Sequence, residues 1–331
     1  MEYFIETLIK ILLVVLIFSA LAGFATYIER KVLAYFQRRK GPTIVGPCGI
    51  LQILADGIKL FTKEDIVPSG ANRLIFRIAP AITAATAFIA MAPIPFFSEF
   101  ELFGRTIKPI IADINVGILF VLGVSAAGLY GPLLGGMSAN SKWSLLGAAR
   151  TAVQLLSFEV ISGLSLLAPL ILVGSLSLID INNYQSGGIT NWLIFTQPVA
   201  FVLFLVAGYA ELNRTPFDLL EHEAEIVAGY ATEYSGMRWG MFFIGEYASM
   251  IALSFVVSLI FLGGFNPLWF IPGGLAIILK VCFLIFLFMW ARAAFPHIRP
   301  DQLMGVCWRV LFPLALLNVF ITGLVVLGGA N

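Results

Sequence analysis

Residues 145 to 173 read LLGAARTAVQLLSFEVISGLSLLAPLILV, a run whose only charged residues are Arg150 and Glu159. A helix needs roughly 20 consecutive apolar residues to cross a hydrocarbon layer of about 30 Å, so this run predicts a transmembrane helix. The whole chain has the same character, with 60% hydrophobic residues, 12% charged residues and a mean hydropathy of +0.95. Soluble domains carry about 25% charged residues. A soluble fold is therefore excluded, and an integral membrane protein is predicted.

Similar apolar runs recur along the sequence and predict an all-α, polytopic membrane helix bundle with an additional amphipathic interfacial helix. We expect a single integral membrane domain over residues 1–331. Glu2 and Glu6 stand where a signal peptide would have basic residues, so the first span is expected to remain in the protein. The fifth predicted span is short. The eight spans are expected near 8–28, 74–97, 114–135, 145–173, 198–212, 239–262, 272–296 and 305–328.

The basic residues are unevenly distributed and orient the bundle. Most of the 20 Lys and Arg residues follow spans one, three, five and seven, and basic connections normally stay in the cytoplasm. This places the connections 29–73 and 211–238 in the cytoplasm and both termini outside it. The predicted location is the cell inner (cytoplasmic) membrane. A net charge of +1 gives no support for nucleic-acid binding.

The inventory of possible metal ligands is poor. Cys48, Cys282 and Cys307 lie far apart in the sequence, and His222 and His297 are the only histidines. This set cannot hold an iron–sulfur cluster, and a bis-histidine haem is not expected. The sequence therefore predicts no metal site, and any electrons must come from a partner.

A polar stripe follows the first cytoplasmic turn. Gln52, Asp56, Lys59 and Lys63 recur at helical spacing on an otherwise apolar segment. One interpretation is an amphipathic helix lying at the membrane surface. The other is a helix buried among its neighbours, with the stripe lining a polar cavity.

Three carboxylates are predicted at membrane depth. Glu159 and Glu246 lie within apolar spans, and Glu211 ends the short fifth span. Because intramembrane carboxylates are expensive, they normally face a bundle interior or a water-filled path. A relay of protons is the functional interpretation. The structural alternative is a hydrogen-bonded acid or an ion pair, for example between Glu246 and Lys280.

The connection 210–238 reads AELNRTPFDLLEHEAEIVAGYATEYSGMR and is the most acidic part of the chain. Its crowded acids Glu221, Glu223 and Glu225 could bind and release protons near neutral pH. A solvated acidic loop that binds a partner is the alternative.

Four stretches resemble the H subunits of the proton-pumping NADH:quinone oxidoreductase, respiratory complex I. Besides 210–238 they are ERKVLAYFQRRKGPTIVGP at 29–47, LADGIKLFTKEDIVP at 54–68 and ARAAFPHIRPDQLM at 291–304. With the eight predicted spans, the resemblance covers essentially the whole chain. It departs from the family at Ala126 and Ala127, because some relatives carry a carboxylate on the third span.

The resemblance implies a subunit of a multisubunit oxidoreductase and translocase, without a complete active site of its own. Quinone would be the substrate, and the chain would form much of the quinone chamber and couple quinone reduction to proton translocation. FMN and iron–sulfur clusters would belong to partner subunits of the redox arm, and other partners would be membrane-arm subunits and lipid. The resemblance assigns Arg30, Asp56, Lys59, Phe217 and Arg292 to the quinone chamber, Glu221, Glu223 and Glu225 to an acidic coupling loop, and Glu159, Glu211 and Glu246 to the intramembrane coupling path.

Three other functions are compatible with parts of the pattern. The homologous membrane subunit of a hydrogenase or related reductase would use the same anchor with a different acceptor. A stand-alone proton-coupled transporter would also place glutamates within spans, although the sequence shows no repeat of two halves. A purely structural anchor would not need the polar stripe.

Overall fold

A computed structural model describes residues 2–102, 105–218, 228–268 and 271–329. The chain is a multi-pass membrane protein built almost wholly from helices, which confirms the predicted fold class. The helices before the acid-rich connection are α1 (Glu2–Phe36), α2 (Gln52–Thr62), α3 (Arg73–Ala90), α4 (Gly117–Gly128), α5 (Tyr130–Ser138), α6 (Lys142–Val173), α7 (Leu178–Tyr184), α8 (Leu193–Thr196) and α9 (Pro198–Glu211). The helices after it are α10 (Gly236–Phe261), α11 (Gly273–Ala294), α12 (Pro300–Val306) and α13 (Phe312–Gly329).

Shorter elements connect these helices. Strands β1 (Phe100–Leu102) and β2 (Arg105–Ile107) pair in an antiparallel two-stranded sheet between α3 and α4. A π-helical segment, Cys307–Leu311, joins α12 to α13. Single 3₁₀ turns occur at Pro47–Gly49, Ile189–Asn191 and Gly229–Ala231.

Within the described residues, 7 spans are long and apolar enough to cross a membrane. The third consists of α4 and α5, which meet at Leu129, and the last runs through α12, the π-helical segment and α13. Helix α9 has only 14 residues. At 1.5 Å per residue it is about 21 Å long, which is shorter than a hydrocarbon layer of about 30 Å.

Helix α1 is longer than the sequence suggested. It continues past the predicted end at residue 28 to Phe36, and the chain turns only where Arg38 adopts a φ of 53°. As a result Glu29 and Arg30, which were expected to begin a connection, lie on a rigid helix. Their side chains are therefore presented at fixed directions.

Helix α10 is the most buried of the spans and packs against α1, α3 and α11. Its residues Ile251, Val257 and Leu259 belong to the main apolar core. About 72% of the apolar window of α10 is buried inside the protein. Glu246 therefore lies on the most buried span of the protein.

Close helix packing in this region depends on glycine. A Cβ at Gly131 of α5 would lie 1.9 Å from Oγ1 of Thr83 on α3, and a Cβ at Gly245 of α10 would lie 3.1 Å from the Thr83 carbonyl oxygen. Real Cβ atoms do not approach other atoms to 1.9 Å. The three helices can therefore meet at Thr83 only because Gly131 has no side chain.

The end of the acid-rich connection is fixed to α3. The Tyr234 ring stacks on Phe76 with a centroid distance of 4.0 Å, and its hydroxyl donates to the Phe76 carbonyl at 3.1 Å. Burial raises the pKa of Tyr234 to about 12, so the phenol remains a neutral donor. Arg238 also pairs with Asp65 at 2.8 Å.

Helix α2 has no buried residue within this chain. Leu54, Ile58 and Phe61 are 63%, 64% and 72% exposed. One of the two interpretations of the polar stripe is that α2 is buried among the chain's own helices. The fold does not show such burial. The apolar face of α2 is available to lipid or to a partner subunit.

Candidate functional site

Four charged side chains form a continuous ion chain, which we define as Arg292, Glu29, Arg214 and Glu246 in that order. Arg292 donates to one oxygen of Glu29, and Arg214 Nη1 donates to the other oxygen at 2.5 Å. Arg214 Nε then donates to Glu246 Oε1 at 2.8 Å. The ion chain thus runs from α11 through α1 to α10.

Arg214 is the central member and is almost completely buried, with 1% of its side chain exposed. Burial disfavours its charged form, but the carboxylates of Glu246 and Glu29 outweigh this and raise the pKa of Arg214 above its ordinary value. The guanidinium also lies over the Tyr247 ring, 4.3 Å from the centroid. Arg214 is therefore a permanent cation inside the protein.

The backbone after α9 brings Arg214 into this position. The helix ends at Glu211 with Leu212 as its C-cap, and Asn213 has a φ of 52°, a left-handed conformation that asparagine tolerates better than most residues. The Tyr209 hydroxyl donates to the Thr215 carbonyl at 2.5 Å and so holds the returning chain. The turn points Arg214 back into the bundle.

The ion chain is electrically balanced, since it contains two carboxylates and two guanidinium groups. Burying charges is costly, and their mutual attraction offsets the desolvation only when each charge keeps its partners. A change in the charge of one member therefore alters the energy of the others. Such an arrangement is suited to transmitting an electrostatic change.

A cavity of about 180 Å³ lies beside the ion chain. Arg214, Asp218 and Arg292 are among the residues that line it. The three carboxylates that the sequence places at membrane depth, Glu159, Glu211 and Glu246, all lie on its wall, and so does Ala126. The lining also includes hydroxyl groups and apolar side chains, among them Thr83, Thr86, Ser125, Ser249, Ile118, Leu166, Leu178 and Val256.

The three carboxylates share this cavity. Glu246 belongs to the ion chain, and Glu211 and Glu159 are close enough to interact electrostatically. Glu211 Oε1 and Arg214 Nη2 are buried and make no hydrogen bond to the described part of the protein. This part of the cavity can therefore bind polar species.

The residues that the resemblance assigns to the quinone chamber fall into two groups. Arg30 and Asp56 form an ion pair at 2.6 Å between α1 and α2, with 49% and 32% of their side chains exposed. Lys59 lies exposed in the last turn of α2. Arg292 instead belongs to the ion chain, and Phe217 packs against Tyr209 at a centroid distance of 5.9 Å.

Helix α1 connects the two groups. Glu29 turns inward to the ion chain, and its neighbour Arg30 turns outward to Asp56. The exposed pair and the buried chain are therefore separated by one position of a rigid helix. The predicted acids Glu221, Glu223 and Glu225 lie outside the described residues.

One expected partner is wrong. Lys280 does not pair with Glu246, because it lies toward the other end of α11. Its Nζ donates to the carbonyl groups of Gly264 at 2.8 Å and Asn266 at 3.2 Å, and lies 4.2 Å from the centroid of the Trp192 ring.

Sequence reasoning missed the central residues of the site. Glu29 stands in a run of charges that resembles an ordinary solvated connection, and Arg214 is marked only by its place just after the short fifth span. Gln154, which is completely buried and bonds to the segment around Arg214, gave no signal because it is a single uncharged residue in an apolar span. The short length of the fifth span was the one useful indication.

Comparisons with known proteins agree on the kind of chain this is. The family described as NADH dehydrogenase matches residues 9–323. The chain is 77% identical over 325 residues to the H subunit of the NADH-quinone oxidoreductase of Wolinella succinogenes, covering 98% of this chain and 99% of that protein. It is 71% identical over 323 residues to the corresponding protein of Nitratiruptor sp., covering 98% of each. It is 69% identical over 323 residues to that of Helicobacter hepaticus, covering 98% of this chain and 97% of the relative.

Proposed function

The chain belongs to the family of H subunits of NADH-quinone oxidoreductase, a family of membrane subunits, and from this premise we propose that it couples quinone reduction to proton translocation. In this proposal it contributes much of the quinone chamber but no complete active site. Electrons reach the quinone from FMN and iron–sulfur clusters on partner subunits. The chain itself supplies charge and a route into the membrane.

The proposed quinone side consists of the Arg30–Asp56 pair, Lys59, Phe217 and Arg292, together with the acidic loop that holds Glu221, Glu223 and Glu225. Reduction of a quinone creates transient negative charge and consumes protons. Fixed cations beside the reacting group stabilise such charge without reorganising. The exposed position of Arg30 and Lys59 supports contact with a substrate that is shared with partner subunits.

The observation that carries the coupling proposal is the bridging position of Arg214. It joins Glu29, the neighbour of Arg30, to Glu246, which lies on the same cavity as Glu211 and Glu159. A negative charge near Arg292 would weaken the hold of Arg292 on Glu29. Glu29 would then bind Arg214 more strongly, and Glu246 would lose part of its counter-charge. Glu246 would consequently take up a proton more readily.

The proposed setting follows the orientation of the bundle. The chain lies in the cell inner membrane with both termini outside the cytoplasm, so α2 and the acidic loop face the cytoplasmic redox arm. Partners are peripheral redox subunits on that side and membrane-arm subunits beside the bundle. The exposed apolar residues of α2 support such contacts.

The test uses the assembled oxidoreductase in sealed membrane vesicles. Glu246→Gln and Glu211→Gln remove a titratable group with little change in shape. We expect each to lower the number of protons translocated for each quinone reduced. Glu99→Gln is the control, because Glu99 is exposed and pairs only with Lys108 among the contacts of the described residues.

Two outcomes would count against the proposal. Undiminished quinone reduction and pumping in both variants would remove these carboxylates from the coupling route. Proton flux through liposomes that contain only this chain would instead indicate a stand-alone transporter.

A further inference from the structure

The segment 210–217 contains both Glu211, on the cavity, and Arg214, in the ion chain. A single side chain from α6 holds this segment at its two ends. Gln154 Nε2 donates to the carbonyl of Ala210 at 2.8 Å and to the carbonyl of Phe217 at 2.8 Å. The ends of the turn are therefore fixed relative to α6, the helix that carries Glu159.

The chemistry of the amide explains why glutamine occupies this position. The carbonyl oxygens of Ala210 and Phe217 both face the side chain at position 154 and require two N–H donors there. The amide nitrogen of glutamine carries two N–H groups and can serve both. Gln154 is completely buried, and its Oε1 makes no hydrogen bond to the described residues. An unused buried acceptor is costly. The two donated bonds therefore determine how the amide is placed.

We propose that Gln154 is a positioning residue for the coupling route, an inference that rests on the proposed function above. By holding both ends of the segment, it fixes the separation between the Glu211 carboxylate and the Arg214 guanidinium. If the segment were loose, Arg214 could move away from Glu29 and Glu246, and the ion chain would lose its middle member. Gln154 itself touches none of these carboxylates.

The variant Gln154→Glu provides a test, because the direction in which pH changes its hold on the segment can be predicted. A protonated carboxyl group keeps one donor and can hold one of the two carbonyl groups, whereas an ionised carboxylate keeps none and faces carbonyl oxygens with negative charge. The variant should therefore hold the segment at low pH and release it as the pH rises. Gln154→Met, of similar length, retains no donor at any pH.

Other ionisable groups around Gln154 are present in the unmodified protein as well, so only the difference between variant and parent reports on the new carboxyl. Helix α6 and the elements packed against it carry Tyr130, Lys142, Arg150, Glu159, Asp180, Tyr184, Tyr209, Glu211, Tyr230, Asp301, Cys307 and Arg309, and the segment after α9 adds Arg214 and Asp218.

The chain offers a second buried glutamine, Gln185, as a control. It is also completely buried, and its Nε2 donates to the carbonyl groups of Ile181 at 3.2 Å and Leu259 at 2.9 Å. Gln185→Glu also places an acid against two carbonyl groups far from the ion chain. Unlike Gln154, Gln185 accepts with its Oε1 from the backbone N–H groups of Leu193 at 3.1 Å and Gly263 at 3.0 Å, and the acid keeps these two donors. Gln185→Glu should change stability without changing how coupling depends on pH.

The experiment measures quinone turnover and protons translocated for each quinone in vesicles containing the complete oxidoreductase. Relative to the parent, Gln154→Glu should lose up to about tenfold in coupled turnover for each pH unit above the pKa of the new acid. The KM for quinone should stay within about twofold, and Gln154→Met should show a low proton ratio at every pH.

An unchanged pH profile for Gln154→Glu would overturn the inference. The inference would also be overturned if Gln154→Glu failed to assemble at low pH while Gln185→Glu assembled. Gln154 would then be needed for folding rather than for positioning. Glu211→Gln and Glu246→Gln are measured in parallel. If they keep full pumping, the proposed function fails; if they lose it and Gln154→Glu does not, only the positioning role fails.

Discussion

Arg214 donates a 2.5 Å hydrogen bond to Glu29, a residue 185 positions away in the sequence. Side chains that are 1% and 2% exposed form this pair. Two charges so completely removed from water depend on each other, because neither has solvent to replace its partner. The bond also ties α1 to the turn after α9, and so it links two distant parts of the chain at the site.

Arg214→Met should be among the most damaging single substitutions in the chain. It leaves Glu29 and Glu246 facing one another without a cation between them, and breaking a buried ion pair in this way costs about 3–5 kcal/mol. We expect little assembled subunit in membranes, measured by immunoblot after native electrophoresis. The combined variant Arg214→Met with Glu246→Gln should recover part of the assembled material, since one buried negative charge is removed. Failure of the second substitution to help would show that Glu246 does not depend on Arg214.

The exposed pair of Arg30 and Asp56 should behave differently. Exposed ion pairs contribute about 0.2–1 kcal/mol, so Arg30→Met and Asp56→Asn should leave assembly unchanged. Both should raise the KM for quinone if the pair lies at the substrate, and Lys108→Met, at another exposed pair, should not. A double-mutant cycle measures how far the two residues act together. Unaltered quinone kinetics in both variants would favour a structural anchor.

Gly131→Ala should disturb the cavity wall. The added Cβ would overlap Thr83 Oγ1, so α5 must move away from α3, and overpacking of this kind costs about 1–3 kcal/mol. Gly123→Ala is the matched control, because a Cβ there meets nothing within 4 Å. The thermal dissociation temperature of the purified complex should fall for the first variant only. Equal effects would show that helix propensity rather than close packing determines the result.

Lys280→Met should weaken the end of the bundle away from the ion chain. The substitution removes the donor to the carbonyl groups of Gly264 and Asn266, and a buried acceptor left without its donor costs about 1–3 kcal/mol. Stability should fall while the KM for quinone stays constant. A change in quinone affinity without loss of stability would contradict this assignment.

Much of the fold follows from the sequence, because the length and hydropathy of a membrane span are local properties. The shortness of the fifth apolar helix and the positions of Glu159 and Glu246 within long apolar helices can both be derived from residue order. Which charged residues pair with each other cannot be derived in this way. Glu246 could be assigned to Lys280 by estimated depth, but depth says nothing about which face of each helix meets the other.

The end of α1 shows the same limit in another form. Charges at residues 29–40 look like a solvated connection, and hydropathy cannot show that the helix continues through them. Glu29 is buried only because Arg214 and Arg292, from remote parts of the sequence, compensate its charge. A long-range compensation of this kind has no local pattern.

The opposite directions of Glu29 and Arg30 also determine the alignment of α1. Consecutive helical residues point about 100° apart, so a slip by one residue moves a different side chain into each contact. A slip in one direction would place Arg30 against Arg214 and Arg292. A slip in the other would place Glu29 against Asp56 and leave Ile28 facing the two arginines. Like charges meet in both cases, and the native register of the first transmembrane helix is thereby selected over its two nearest alternatives.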